Sequence, residues 1–113
     1  MTFIAYFFAG TFLANGIPHL TNGISGRRFP ERFPFRKAGT PAGPFERWAS
    51  GPVPNVIWGM LNYVIGYLLV SKVGDFSVTQ TADIASIILG FVACSIFLSW
   101  NFGRVHSEYK EAI

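Results

Sequence analysis

Charge is scarce in this chain. Asp, Glu, Lys and Arg make up 13% of the residues, about half the share carried by soluble domains, so a water-solvated surface is short of the groups that would build it. Cysteine is nearly absent: Cys94 is alone inside an apolar run, which excludes an intramolecular disulfide and any Cys/His cluster with zinc spacing. Enzyme signatures are missing too. There is no P-loop, no Gly-x-Ser-x-Gly, no His-Glu-x-x-His and no pair of carboxylates close to a histidine, and the expectation is a protein without catalytic activity. With 113 residues there is room for one domain, which rules out multidomain machinery.

What is present is apolar sequence in long stretches. The first run extends from about residue 2 to 20 and meets no charged side chain before Arg27; the second, about 53–73, has none until Lys72; the third, about 82–102, has none from Ile84 to Trp100. Roughly 20 apolar residues cross a bilayer as a helix. Hydrocarbon offers the backbone no hydrogen-bond partner, and the alternation of a membrane barrel is lacking, so the spans read as helices. A soluble bundle would show charged residues at helical spacing on its outer faces, and these runs show none. The fold class expected is therefore an all-α membrane protein with three transmembrane helices. The first run differs from a signal peptide because its basic residues follow the apolar core instead of preceding it. Thr81, followed by Ala82 and Asp83, reads as a capped start for the third span.

Basic residues set the expected orientation. Arg27, Arg28, Arg32, Arg36, Lys37 and Arg47 lie between the first two spans, Arg104 and Lys110 lie after the third, and Lys72 stands alone on the opposite side. The positive-inside rule then puts the loop of about 21–52 and the tail 103–113 in the cytoplasm and the N-terminus outside. The loop is long for a connection between neighbouring helices. Its prolines forbid a continuous helix, while Phe29, Phe33, Phe35, Phe45 and Trp48 interleave with arginine. That combination suits an amphipathic strip along the membrane surface, with rings at headgroup depth and guanidinium groups toward anionic lipid. The same basic residues are equally accounted for as topology anchors, or as contacts to a partner protein through Arg27, Arg28, Arg32, Arg36, Lys37 and Trp48. No nucleic-acid-binding module accompanies them, and nucleic acid is not expected as a partner.

Polar residues inside the spans are few. Asn15, His19 and Asn22 share a face if the first helix runs past Gly16 and Pro18; otherwise the chain kinks or ends there and His19 sits in a turn. His19 and His106 fall on the same expected side, which makes them the candidates for a metal, haem or pigment, although no attachment motif supports a haem and no cofactor is expected. In the second span Asn55, Gly59, Asn62 and Gly66 recur at spacings of four, three and four, a small or amide-bearing stripe on which helices meet. Ser86, Gly90 and Cys94 offer a facing surface on the third. Asn15, Asn62 and Ser95 or Ser99 can also be read as a polar path for a small solute, but no ionisable group in the span cores would couple transport.

Two segments, Asn15-Gly16-Ile17-Pro18-His19 continuing through Asn22-Gly23-Ile24-Ser25-Gly26-Arg27-Arg28-Phe29-Pro30, and Pro54-Asn55-Val56-Ile57-Trp58-Gly59, resemble a group of small bacterial integral membrane proteins of uncharacterised function. The resemblance covers about the first two thirds of the chain. It implies a bacterial cytoplasmic-membrane setting and brings no activity, cofactor or site residue. The expected role is association, as an accessory subunit of a larger membrane complex or as a homo-oligomer, with membrane lipid and other membrane subunits as partners. The competing expectation is a ligand-handling protein, holding haem, metal or pigment near His19 and His106, or a minimal oligomeric transporter.

Overall fold

A computed structural model describes residues 2–29 and 43–112, with Glu46 and residues 105–112 described by backbone alone. The described chain is helical throughout: α1 (Thr2–Ile24), α2 (Pro44–Ala49), α3 (Pro52–Lys72) and α4 (Thr81–Ala112), with no strand among the described residues. Three of these helices are long and apolar enough to cross a membrane: Thr2–Ile24, Pro52–Lys72 and the stretch Thr81–Arg104 of α4.

Each boundary has a local cause, and several differ from those expected. Pro18 lies inside α1 and does not end it; the helix runs on to Ile24, so Asn15, His19 and Asn22 belong to one continuous element. Its missing N–H withdraws one bond, the one the Ala14 carbonyl would accept, a loss that membrane helices commonly tolerate, and side-chain bonds reinforce the turn that follows. Thr21 Oγ1 donates to the Ile17 carbonyl at 2.7 Å and Asn22 Nδ2 to the Pro18 carbonyl at 2.9 Å. The stop comes at Gly26, whose φ of +71° permits paired closing bonds, Arg27 N–H to Asn22 O at 2.9 Å and Gly26 N–H to Gly23 O at 3.0 Å. That is the Schellman arrangement, in which glycine takes the left-handed position at no steric cost.

Part of the long loop is ordered into α2, a single turn. α3 starts with Pro52, where a missing N–H costs nothing. At the start of α4, Thr81 is the first helical residue rather than the cap. Gln80 supplies the first carbonyl, and the Asp83 carboxylate accepts the Ser77 N–H at 3.0 Å, which ties the preceding loop to the first turn. α4 also extends through the expected tail as far as Ala112.

The packing order is not the sequence order. α1 is the shared neighbour of α3 and α4, while α3 and α4 make no close approach to one another among the described residues. α1 runs antiparallel to α3, with Gly66 opposite Ala9, Gly59 opposite Leu20 and Gly23 opposite Val56. It runs parallel to α4, with Gly90 against Phe7 near one end and Phe102 beside His19 near the other. The connection 73–80 passes over the start of α1: Phe76 meets Tyr6 edge-on at 5.3 Å, and Gly74, at φ +137°, sits against Thr2 and the Tyr6 hydroxyl.

Candidate functional site

Two glycine contacts decide how closely the helices approach. On α1 and α4, a Cβ placed on Gly10 would overlap the Ile87 carbonyl oxygen, and one on Gly90 would overlap that of Phe7. Both obstacles are backbone, so no rotamer change makes room. On the α3 side, a Cβ on Gly59 would lie 2.9 Å from the Leu20 backbone nitrogen and one on Gly23 2.7 Å from the Pro52 carbonyl. Such contacts replace hydrophobic driving force, which is absent between helices in lipid, with close van der Waals packing.

This geometry settles where the stripe of α3 points. Asn55, Gly59, Asn62 and Gly66 are all buried, so the stripe is a packing surface, but its partner is α1 and not the third span. Its counterparts are Ala9, Gly16, His19 and Gly23. The sequence pattern points Ser86, Gly90 and Cys94 toward α3. Instead, Gly90 packs on α1, and the half-buried Ser86 donates its hydroxyl to the Ala82 carbonyl at 2.8 Å within its own helix. Cys94 is also half-buried. Ser95 likewise bonds to Phe91 O at 2.7 Å, and Ser99 is exposed.

Along the α1–α3 seam the polar side chains form two rungs. Asn15 Nδ2 donates to Asn62 Oδ1 at 3.0 Å, and Asn62 Nδ2 to the Trp58 carbonyl at 2.7 Å. One to two turns nearer the arginine-rich end, His19 and Asn55 meet at 2.7 Å, Nδ1 to Oδ1. The hydrogen-bond pattern assigns the proton. Asn55 Nδ2 faces the carbonyl oxygens of Gly51 at 2.8 Å and Ala49 at 3.2 Å, which can only accept, so the amide oxygen is what faces His19 and Nδ1–H donates to it. Asn55 thereby joins α1, α2 and α3 through one side chain.

Aromatic rings close around this rung. His19 is 2% exposed, with Phe29, Trp58 and Phe102 set edge-on at centroid distances of 5.3, 6.5 and 6.4 Å. Phe29 and Phe102 are themselves 4.4 Å apart, and Phe29 is held by its N–H to the Ser50 carbonyl at 2.9 Å. A planar macrocycle on His19 would have to displace Phe29 and Phe102. The side chain of His106 lies outside the described residues, so the pairing of the two histidines is not part of this picture. Among the described residues no group of three His, Cys, Asp or Glu is arranged to hold a metal ion.

At the same end, Arg27, Arg28, Arg47 and Trp48 are exposed; Arg32, Arg36 and Lys37 lie outside the described residues. Arg28 donates to the Arg47 carbonyl and, at 3.0 Å, to Ser50 Oγ, which fastens the segment after α1 to the end of α2. Trp100 and Arg104 stack on α4, the guanidinium carbon 5.7 Å from the ring centroid. Sequence reading missed Gly10, Gly16 and Gly23 as contact points and Phe102 as a wall of the histidine enclosure. The seven-residue recurrence of Ala9, Gly16 and Gly23 is the signal that would have found α1 as the partner of α3. No family model, curated protein or solved structure matches the chain.

Proposed function

We propose that this is a multi-pass protein of the bacterial cytoplasmic membrane, N-terminus outside and C-terminus inside, that acts by association as an accessory or structural subunit of a larger membrane complex or as a homo-oligomer. The bias of basic residues toward one end supports the orientation. The role rests chiefly on the outward surface of α4. Leu89, Val92, Ile96 and Trp100 recur at spacings of three and four and are 62%, 47%, 67% and 57% exposed, on a helix whose one neighbour among the described elements is α1. Such a stripe suits packing against another helix as well as against acyl chains. The stripe Asn55, Gly59, Asn62 and Gly66 is spent on α1 and is not proposed as the contact to a partner. The asparagines and His19 likewise hold the bundle together, which favours association over ligand handling.

The test is the intact mass of the full chain drawn gently from native membranes. Native mass spectrometry in mild detergent is expected to give species heavier than the 12.5 kDa monomer, and Leu89→Ala/Ile96→Ala is expected to deplete them without changing the thermal midpoint. A homogeneous monomer, unaffected by that double substitution, would remove the proposal.

A further inference from the structure

The α2 turn and the segment that binds to it present a surface the association reading does not use. Phe45 and Trp48, three residues apart on one turn, are 72% and 63% exposed and stack on each other at 5.9 Å with a tilt of 40°. Neither ring is tucked into the bundle. The exposed Arg47 stands between them in the same turn, the exposed Arg28 is bonded to its carbonyl, and the exposed Arg27 precedes Arg28 in the adjoining segment. The acidic residues whose side chains are described, Asp75 and Asp83, belong to the loop and helix start at the opposite end of the molecule.

The level of this surface follows from the helices beneath it. α1 ends at Ile24 and α3 begins at Pro52; with 23 and 21 residues they rise about 35 and 32 Å at 1.5 Å per residue, close to the roughly 30 Å of a hydrocarbon core. α2 is tied to these ends by Phe29 N–H to Ser50 O and by Arg28, which sets it where the phosphates of that leaflet lie. Aromatic rings exposed at this depth are stabilised by the interface.

From this juxtaposition we infer that Arg27, Arg28 and Arg47, with Phe45 and Trp48, seat the headgroup of an anionic phospholipid of the phosphatidylglycerol class. A guanidinium plane matches a phosphodiester with paired hydrogen bonds. Arg28 is already held in place on Ser50, so less freedom is lost on binding. The acyl chains descend past the 67% exposed Val53 at the start of α3. Phosphatidylcholine presents the same phosphate, but its quaternary ammonium would stand among three cations. The surface therefore selects the lipid by net charge as well as by shape.

This inference needs the membrane setting but not the association role, and its test is separate. The full chain is placed in mixed micelles with equal phosphatidylglycerol and phosphatidylcholine, and the lipid retained is weighed by native mass spectrometry. Wild type is expected to retain phosphatidylglycerol at least about fivefold over phosphatidylcholine, the preference supplied by one basic residue at a membrane surface. Arg28→Gln/Arg47→Gln is expected to bring the ratio close to one. Arg27→Gln, which removes a side chain without a structural bond to α2, lowers it severalfold while leaving the far-ultraviolet spectrum and thermal midpoint unchanged, and Trp48→Ala lowers retention of both lipids. Equal retention by wild type overturns the inference, as does an unchanged ratio in Arg27→Gln. An equal loss in Lys72→Gln at the far end would show only a response to total charge. Displacement of the lipid by millimolar glycerol phosphate would reduce the seat to a phosphate site and overturn the lipid assignment.

Discussion

Asn55 has more to lose than any other side chain in the described spans. It accepts from His19 and donates to carbonyls at the α2–α3 junction, so Asn55→Leu takes away the acceptor of the buried His19 Nδ1–H and the side-chain donor to the Ala49 carbonyl, while Gly51 O keeps the backbone N–H of residue 55. Asn62→Leu breaks one interhelical bond and one bond to its own helix. Interhelical hydrogen bonds in membranes contribute about 0.6 to 2 kcal/mol, whereas orphaned buried groups cost about 1 to 3 kcal/mol each. Reversible unfolding in mixed micelles should therefore rank Asn55→Leu well above Asn62→Leu, and a double-mutant cycle of His19→Phe with Asn55→Leu should give a coupling of about 1 kcal/mol. Were the two single substitutions to add without coupling, the His19–Asn55 bond would contribute nothing. His19→Phe fills the aromatic enclosure, so its thermal midpoint should fall less than that of His19→Ala, which leaves a cavity between Phe29 and Phe102.

Among the elements, the α1–α4 contact is the one that tolerates least. Gly10 and Gly90 face carbonyl groups rather than side chains. Gly90→Leu should cost about 3 kcal/mol or more, at the upper end for overpacking, while Gly103→Leu, with open space around it, should be neutral. Thermal denaturation of the two variants side by side checks this. Gly74→Val combines a positive φ with a clash against Thr2 and Tyr6, and is expected to loosen the 73–80 connection at about 1 to 3 kcal/mol, read as faster hydrogen exchange there. The spans themselves could be read from composition because lipid permits little else, and the α3 stripe because small and amide residues stand out among bulky ones. Its partner could not be read so directly. Ala9, Gly16 and Gly23 on α1 and Ser86, Gly90 and Cys94 on α4 fit the same stripe, and the short α3–α4 connection favours the wrong pair. The deciding feature, a loop that crosses over the start of α1, leaves no periodic signal. α2 escaped because one turn between Pro44 and Gly51 is too short to show a period.

For the whole molecule, the charge distribution and the packing order make independent statements. Orientation rests on the basic residues, and single cysteines in a Cys94→Ser background test it. A cysteine at Arg27 should be labelled by an impermeant reagent in inverted vesicles, and one at Lys72 in intact spheroplasts; the reverse pattern would turn the protein over. The packing order predicts that cross-linking pairs Gly66 with Ala9, through engineered cysteines, and fails to pair α3 with α4 within one chain.

That α1 stands between helices made later bears on how the chain is born. The ribosome releases α1 into the bilayer before the residues that complete it exist, and until α3 follows, Asn15 and His19 face acyl chains with no side chain from α3 to bond. A nascent polypeptide halted in the basic hairpin would thus carry Asn15 and His19 into lipid without the two asparagines that meet them in the finished bundle.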